Sequence, residues 1–583
     1  MRNGKFAKEK IENVLLSFDL KGEIVDKKKG TYGIVFIVDH GESVYPRYIA
    51  YKTIDEQFKE KKLKEFVREA RVWFKVKDHA LTLTPFYIKY FKNFPLICMP
   101  FCEMDLQNYL EKHGRLKPIE ALVFVAQILK GLAFAKTRGI EAHQDLKPRN
   151  ILLEDLSKKF VDYPPKDADP AIRYRVRIAD FGLANAWKEL DKQYGSKPYM
   201  APEQFERKED FSRVDMFATG VILHELLTGK HPIGERTSDV WPEPKAGFPK
   251  KYKHDPYWKK WSKSIDKHIR IGDDELIKEF ENLIKKMLLP DAGERISIEH
   301  ALESIMSILS IVHISTANQL KFLFEYYDYR AGYLEDENRL HALVQISQLP
   351  GQLDVVVNEL QEEISMLEEF IDTPRKAVYS CKLLYETSSL LLERRREGDD
   401  EKVKNFAERI ILEVIKWKAE IKVHHKYPEL KFKETTLIKQ PPFRDFEVYA
   451  ELIGYGRKLL ENVIGREETE SFFEKKDEYT KSAYFFTIAS NFHSKGDQQK
   501  AIEILDKCIK LNPREAAFYY MKSLWTEHYL FERETLEKLE NKEKEAFKQT
   551  MLRNAQKALQ IDPNWEEPRK LVEKILKGKK ENE

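Results

Sequence analysis

The sequence predicts an α+β fold, with strands first and helices after, followed by an all-α region, and three features of its pattern lead to this fold class. Runs rich in β-branched and aromatic residues, with glycine-containing turns nearby, predict strands between residues 20 and 55 and again between 86 and 99. Apolar residues recur at helical spacing over 61–76 and over most of 106–308. Beyond residue 308 the helical pattern continues with one break and contains a weak internal repeat.

Length, charge and cysteine usage restrict the class of protein. A chain of 583 residues is too long for one hydrophobic core, so we expect about two to four domains. Its 100 basic and 97 acidic residues leave a formal charge of +3, and this near balance indicates no bulk electrostatic partner such as nucleic acid or an anionic membrane. The four cysteines lack the paired spacing of a zinc site, which favours buried thiols.

The N-terminal residues carry no apolar signal-peptide core, and no run of apolar residues reaches membrane-spanning length. We therefore expect no membrane span and a cytoplasmic location. A secreted effector that acts inside a host cell stays open as an alternative, because a secretion signal near a C-terminus can escape notice.

Two short motifs carry the strongest chemical signal. HQDLKPRN occupies residues 143–150, and DFG follows at 180–182, thirty-five positions after Asp145. Together they resemble the catalytic loop and the metal-binding loop of the eukaryotic-type protein kinases, and the DLKPxN string is typical of Ser/Thr kinases. The resemblance implies a bilobal protein kinase fold for the first half of the chain.

The resemblance also implies a role for the polar residues of these two motifs. Asp145 would orient the acceptor hydroxyl and take its proton, and Lys147 would neutralise charge on the moving γ-phosphoryl group. Asn150 and Asp180 would hold Mg²⁺, a hard cation that prefers oxygen ligands. ATP and Mg²⁺ are therefore the expected cofactors.

The same resemblance assigns nucleotide binding to the small lobe. KGTYGIV at 29–35 resembles the glycine-rich loop over the phosphates, although a lone Gly-x-x-Gly run is equally typical of a hairpin turn. Lys52 would contact the phosphates and Glu69 would hold it, whereas each of them read alone is a surface charge. Met99 would be the gatekeeper before a hinge at 100–102. The residues expected at ATP are Lys28, Gly30, Thr31, Tyr32, Gly33, Val35, Ala50, Lys52, Met99, Pro100, Phe101 and Cys102.

A third motif, GSKPYMAPE at 195–203, resembles the end of the activation segment at which kinases dock a peptide. The resemblance implies that Ser196 belongs to this docking segment and that Glu203 forms a buried ion pair with Arg295. It also implies that Asp215 braces the catalytic loop. Small-molecule phosphotransferases lack such a segment, so a protein substrate is expected.

Several departures from the family pattern shape the expected regulation. Gln144 stands where the family has an arginine that binds a phosphorylated activation loop, and residues 183–195 contain no Ser or Thr, with Tyr194 their one hydroxyl. We therefore predict activity that does not depend on activation-loop Ser/Thr phosphorylation. Residues 156–175 and 231–270 read as enlarged loops, for which a solvated insertion is favoured over a partner-binding surface.

The helical half begins with a seam of apolar residues. From Leu353 to Ile371 they alternate four and three apart over about three heptads, which favours an intramolecular hairpin over a coiled-coil dimer. A turn is expected at Gly398. A linker is expected where Pro441 and Pro442 interrupt the pattern.

The last hundred residues resemble tetratricopeptide (TPR) repeats at about 482–515 and 516–565. Their closing prolines, Pro513 and Pro563, are fifty residues apart, so the second copy carries an insertion or longer helices than the repeat's about thirty-four residues allow. Generic helical hairpins stay open as an alternative. The predicted divisions are 1–14 (N-terminal extension), 15–308 (kinase domain, with a small lobe at about 15–99 and a large lobe at about 103–308), 309–430 (helical region), 431–446 (linker) and 447–583 (helical region with the repeats).

Two functions are compatible with these observations. The favoured one is a Ser/Thr protein kinase that transfers the ATP γ-phosphoryl group to protein hydroxyls, with helical repeats that bind a protein or peptide partner. The alternative is a pseudokinase-type scaffold, in which only the repeats act. Lys28, in place of the family's first loop glycine, and Gln144 favour the scaffold, whereas the presence of every catalytic and metal-binding side chain favours the enzyme.

Overall fold

The structure is a computed structural model of the chain, and it divides into two compact units, residues 1–352 and 353–583. The glycine run at 30–33, Tyr194 and most of the predicted linker lie outside the described residues. The structure describes residues 22–29, 34–41, 46–54, 60–77, 79–91, 94–158, 163–186, 195–206, 210–234, 255–272, 274–333, 335–368, 371, 373–417, 445–536, 540–563 and 565–580.

The small lobe is an antiparallel five-stranded sheet with one helix against it. Its elements are β1 (Glu23–Lys29), β2 (Ile34–Asp39), β3 (Tyr48–Thr53), α1 (Glu60–Lys75), β4 (Tyr87–Phe91) and β5 (Phe94–Pro100). The strand order is β1-β2-β3-β5-β4, so β4 lies at an edge. Alternate residues Ile34, Phe36 and Val38 of β2 are buried in one cluster, as the period of two in a strand requires.

Helix α1 has the apolar stripe that the sequence predicts. Leu63, Phe66, Val67 and Ala70 recur three and four apart and are buried. Glu69, between them, is buried as well, so the helix delivers a carboxylate into the protein interior.

The large lobe is mainly helical and contains a three-stranded sheet of order β6-β7-β8. Its elements are β6 (Met104–Asp105), α2 (Leu106–His113), α3 (Pro118–Thr137), β7 (Ile151–Asp155), β8 (Tyr174–Ile178), α4 (Pro202–Glu206), α5 (Val214–Thr228), α6 (Asp255–Ser262), α7 (Glu275–Met287) and α8 (Ile298–Val312). In the part of the chain that the structure describes, α3 alone is long and apolar enough to cross a membrane. It packs against α5, α8 and β8, and this burial accounts for its apolar composition.

Two further helices belong to the first compact unit, although the sequence assigns them to a separate helical region at 309–430. They are α9 (Ile314–Tyr333) and α10 (Glu335–Ser347). Helix α9 packs against α8 and α3 of the large lobe, whereas α10 packs against α1 and β4 of the small lobe. The buried side chains of Leu340, Leu343 and Ile346 on α10 account for this association, because their apolar surface is removed from water.

The second unit is helical throughout the part that the structure describes, and each helix packs against its neighbours in the sequence. Its helices are α11 (Leu353–Glu368), α12 (Pro374–Arg394), α13 (Asp399–Lys416), α14 (Asp445–Ile464), α15 (Arg466–Glu474), α16 (Glu478–Ser494), α17 (Gln498–Leu511), α18 (Ala516–Leu536), α19 (Asn541–Ile561) and α20 (Glu566–Lys580). The predicted turn at Gly398 has φ 82° and precedes α13. Helices α18 and α19 have 21 residues each, against 17 and 14 for α16 and α17, and this accounts for the wide proline spacing. The TPR assignment stays a prediction.

All four cysteines are free and buried, as the sequence predicts. Burial raises the pKa of the Cys98 thiol to about 11, which keeps it protonated at neutral pH. The Cys381 and Cys508 thiols have raised pKa values for the same reason. Buried, protonated thiols are poor nucleophiles and poor metal ligands.

The predicted ion pair between Glu203 and Arg295 joins two distant parts of the large lobe. Arg295 is fully buried and donates from Nη1 to Glu203 Oε1 at 2.6 Å and from Nη2 to Glu203 Oε2 at 3.1 Å. Its remaining donors reach the carbonyl oxygens of Leu289, at 2.9 and 3.0 Å, and of Arg213, at 2.8 Å. The fork of the guanidinium is thus fully used within the protein.

We predict that Arg295→Met lowers the free energy of unfolding of the large lobe by about 3–5 kcal/mol, because Glu203 is left as an unpaired buried charge. Denaturant unfolding of the full chain measures this loss. The control is Lys136→Ala, which breaks a pair with Glu299 whose side chains are 47% and 52% exposed, and it should cost less than about 1 kcal/mol. Equal losses in the two variants would contradict the role assigned to Arg295.

Candidate active site

A buried ammonium group lies between the two lobes. Strand β3 positions Lys52, whose Nζ donates to Glu69 Oε1 on α1 and lies 3.4 Å from Asp180 Oδ1. Burial works to lower the pKa of Lys52, but the charges of Glu69 and Asp180 outweigh it and raise the pKa above its usual value. Lys52 is therefore a charged side chain held between two carboxyl groups, in the arrangement that the sequence predicts.

The metal-binding loop is tied to α1 by a second set of contacts. Arg68 donates from Nη1 to the carbonyl oxygen of Gly182 at 2.8 Å and from Nη2 to that of Ala184 at 2.5 Å. Asp180 has a left-handed backbone with φ 64°, a conformation that is uncommon for non-glycine residues and is found repeatedly at functional sites. Sequence reasoning missed Arg68, because an arginine on an exposed-looking helix position carries no signal of its own.

The catalytic loop holds the Asp145 carboxylate by both oxygens. Oδ1 accepts a hydrogen bond from the backbone N–H of Ser196 at 2.8 Å, and Oδ2 accepts one from Lys147 Nζ at 2.7 Å. Lys147 Nζ also donates to Ser196 Oγ at 2.8 Å. The carboxylate, the ammonium group and the docking segment therefore form one network that fixes the orientation of Asp145.

Asp215 of α5 supports this loop from the interior. Its Oδ2 accepts from the backbone N–H of His143 at 2.6 Å, and its Oδ1 accepts from that of Gln144 at 3.1 Å. His143 is buried, and its Nε2 lies 2.9 Å from the carbonyl oxygen of Ala179, so it packs beneath the loop. Burial raises the pKa of Asp215.

Gln144 is buried as a neutral residue at the position of the family's arginine. Its carbonyl oxygen accepts from Gln204 Nε2 at 3.1 Å, and its backbone has φ 67°. Gly195 passes directly over it, since a Cβ at position 195 would lie 2.8 Å from the Gln144 carbonyl oxygen. The loop and the docking segment are thus in close backbone contact without a cation at Gln144.

The docking segment is anchored on its other side by polar and aromatic side chains. The buried His231 holds the carbonyl oxygen of Pro198 through Nε2 at 3.0 Å, and burial lowers its pKa to about 3, so it is neutral. Tyr199 donates its hydroxyl to Glu225 Oε2 at 2.8 Å. His231 and Glu225 were not predicted from the sequence, because neither belongs to a motif.

Among the residues predicted to bind the nucleotide, those that the structure describes lie mainly on adjacent strands. Val35 pairs with Lys52, and Ala50 pairs with Met99, so these side chains belong to one patch of the small-lobe sheet. Lys28 is on β1 opposite Val35. Strand β5 ends at Pro100, and Phe101 and Cys102 follow it as the predicted hinge.

The donor set fits ATP with Mg²⁺. Two ammonium groups can neutralise phosphate charge: Lys52 lies beside Asp180, and Lys147 lies beside Asp145. Asn150 donates from Nδ2 to the Asp145 carbonyl oxygen at 2.8 Å, which leaves its side-chain oxygen as the atom that can bind a cation. Its backbone carbonyl accepts from the N–H of Ala179, the residue before Asp180. Within the described residues no cluster of three or more His, Cys, Asp or Glu side chains could hold a metal ion. Mg²⁺ suits such a sparse site, because it is usually bound by one or two protein ligands together with substrate phosphates.

Comparison with known proteins agrees with the predicted fold class and family. The family model described as "Protein kinase domain" matches residues 28–306. The chain is 36% identical over 145 residues to serine/threonine-protein kinase ULK3 of Rattus norvegicus, covering 24% of this chain and 27% of that protein. It is 32% identical over 135 residues to serine/threonine-protein kinase PkaA of Streptomyces coelicolor, covering 22% of each. The matched segment thus spans about a quarter of the length of these curated relatives.

We predict that Gly195→Ala loosens the docking segment, because the new methyl group would overlap the Gln144 carbonyl oxygen. The free energy of local opening at residues 196–203 should fall by about 1–3 kcal/mol, as hydrogen exchange of these amides would measure. Gly272→Ala is the matched control, since its Cβ would meet only the Ile277 side chain, at 3.3 Å. Unchanged exchange at 196–203 in Gly195→Ala would contradict the prediction.

Proposed function

We propose that the protein is an active, Mg-ATP-dependent Ser/Thr protein kinase, because residues 28–306 match the family model described as "Protein kinase domain". The observation that carries the proposal is the assembled state of both ion clusters. Lys52 is paired with Glu69 beside Asp180, and Asp145 is held by Lys147 and the docking segment. A pseudokinase scaffold gives no reason for either cluster to be complete.

The residues of the chain divide the work of phosphoryl transfer. Asp145 accepts the proton of the acceptor hydroxyl. The hydroxyl oxygen forms a bond to the γ-phosphorus, and the bond from that phosphorus to the bridging oxygen of ATP breaks. Lys147 lies 2.7 Å from the Asp145 carboxylate and stabilises negative charge that develops on the phosphoryl oxygens. Lys52, kept charged by its two carboxyl neighbours, binds the non-transferred phosphates. Mg²⁺, when bound at Asn150 and Asp180, supplies further charge neutralisation.

A Ser/Thr acceptor is favoured by the catalytic loop and the docking segment. Lys147, two residues after Asp145, bridges to the hydroxyl of Ser196 at 2.8 Å, which holds the docking segment close to the catalytic carboxylate. A substrate Ser or Thr has a short side chain, so its hydroxyl can reach Asp145 when the peptide binds at the docking segment. The two relatives are named serine/threonine-protein kinases, which agrees with this proposal.

We predict that Asp145→Asn lowers phosphoryl transfer by at least about a hundredfold, because the amide cannot take the acceptor proton, and leaves nucleotide binding unchanged. Transfer of γ-labelled phosphate to a generic protein substrate and to the kinase itself measures the first effect, and binding of a fluorescent ATP analogue measures the second. Asp167→Asn, an exposed residue outside the site, is the matched control. A wild-type protein that incorporates no label while it binds the analogue would support the scaffold instead.

We propose that this activity needs no phosphate on the activation segment. The docking segment is held by protein groups alone, through Ser196, Pro198 and Tyr199, and the neutral Gln144 offers no charge to a phosphate. In kinases whose activation loop is phosphorylated, the phosphate supplies contacts that hold this loop. Here hydrogen bonds within the unmodified chain take their place.

We predict that protein treated exhaustively with phosphatase keeps its initial rate of phosphoryl transfer to within about twofold. The reason is that the Asp145 network is complete in the unmodified chain. Mass spectrometry verifies that residues 183–196 carry no phosphate, and the rate is taken before autophosphorylation accumulates. An inactive phosphate-free protein that gains activity on modification of Tyr194 or Ser196 would contradict the prediction.

We further propose that the second compact unit binds a protein or peptide partner. The consecutive helices α16 to α19 each pack against the next, and stacked helix pairs of this kind form the extended binding surface of helical repeats. The location proposed for the protein is the cytoplasm, where ATP and free thiols coexist.

A further inference from the structure

Helices α9 and α10 lie outside the kinase family match and yet contact both lobes of the matched domain. Helix α9 is fastened to the large lobe by Asp328, which forms an ion pair with Lys130 on α3. Asp328 Oδ1 also lies 3.4 Å from Nε2 of the buried His79, in the segment that joins α1 to β4. Near its start, Thr316 Oγ1 accepts from the backbone N–H of Asp169 at 2.7 Å. These contacts give α9 a firm base.

Helix α10 extends from this base onto the small lobe. It packs along α1 and against β4, the edge strand of the sheet. Gln345 Oε1 accepts a hydrogen bond from the backbone N–H of Ile88 on β4 at 2.7 Å. The amide nitrogen of Gln345 lies 3.1 Å from His341 Nε2, one turn earlier on the same helix. Gln345, which lies outside the sheet, thereby accepts a hydrogen bond from an N–H group of the edge strand β4.

His341 also lies next to the end of α1. Its Nδ1 is 3.4 Å from Nζ of Lys77, two residues beyond the last residue of α1. Burial, with a smaller effect from Lys77, lowers the pKa of His341, so the ring is neutral and can accept a hydrogen bond from Gln345. The contact surface of α10 therefore includes α1, its C-terminal end and the neighbouring strand.

The position of α1 decides whether the site is assembled. This helix carries Glu69, which pairs with Lys52, and Arg68, which holds the metal-binding loop at Gly182 and Ala184. Both contacts are polar and lie on the cleft side of the helix. A rotation or outward shift of α1 by a few ångströms would break them together.

We propose that α10 is an intramolecular strut that holds α1 in its assembled position, with Gln345 as a positioning residue that acts through α1 on Glu69. The proposal rests on the proposed kinase function. It adds an explanation of what keeps Glu69 and Arg68 in contact with the site. Because Gln144 cannot bind an activation-loop phosphate, the strut takes over the task of fixing α1 from a segment outside the family domain. Full activity should therefore need residues up to 347, beyond the matched residues 28–306.

The test uses point variants of the full chain. Gln345→Leu has a similar size and removes the acceptor of the Ile88 N–H, whereas Gln345→Glu keeps an acceptor oxygen. Asp328→Asn weakens the base of the strut on α9. Glu325→Gln, an exposed residue on the same helix, is the matched acid-to-amide control for Asp328→Asn.

Two readouts are measured for each variant: hydrogen exchange of the α1 amides at 60–77, and the kinetic constants kcat and KM for ATP. We expect Gln345→Leu to speed α1 exchange and to lower kcat/KM for ATP by about tenfold, the effect of leaving the buried N–H of Ile88 unpaired. Asp328→Asn should change both readouts in the same direction by more than about twofold but less than about tenfold, because the Asp328 side chain is 46% exposed. Exchange in the large-lobe helix α5 should stay unchanged, which separates a local effect from general unfolding. Gln345→Glu and Glu325→Gln should stay within about twofold of wild type.

The outcomes separate the strut from the kinase function. If wild type transfers phosphate but neither Gln345→Leu nor Asp328→Asn changes α1 exchange or kcat/KM, the strut is wrong and the function stands. If wild type transfers none but α1 exchange rises in both variants, the strut stands and the function fails. If exchange in α5 rises as much as exchange in α1 in both variants, Gln345 and Asp328 only stabilise the fold in general. This result would also overturn the proposal.

Discussion

The buried ammonium group of Lys52 is the constraint on which the rest of the first unit depends. A charge in the protein interior is costly unless opposite charges surround it, so Lys52 needs the carboxyl groups of both Glu69 and Asp180. These groups come from three elements, β3, α1 and the loop after β8. Their relative positions are therefore coupled: movement of α1 or of the loop removes a counter-charge from Lys52, and movement of β3 removes the cation from both carboxyl groups.

A second network depends on backbone N–H groups that donate to carboxylates. Asp145 is fixed by the N–H of Ser196, and Asp215 fixes the loop through two further N–H groups. Gly195 allows this approach because it carries no side chain where the Gln144 carbonyl oxygen lies. Hydrogen bonds to charged acceptors are among the stronger ones in proteins, so this arrangement can order the docking segment without a phosphate.

The boundary of the functional unit differs from the boundary of the family pattern. The sequence places the helices between residues 309 and 430 in one region, because their amphipathic patterns are alike. In the structure the first two, α9 and α10, pack on the kinase lobes, and the second compact unit begins at residue 353. An amphipathic pattern shows that a helix buries one face, but it does not show against which partner.

The sequence by itself determined the two-lobed fold class, the helical second half and the set of catalytic and metal-binding residues to test, because these depend on local periodicity and on motifs in which a few residues at close spacing carry the chemistry. Only the tertiary structure decided that Arg68 holds the metal-binding loop, that His231 anchors the docking segment and that Gln345 reaches Ile88. These contacts join residues that are far apart in the chain and common in composition. No local pattern distinguishes such residues, since their function arises from the packing of elements that the chain brings together only when it folds.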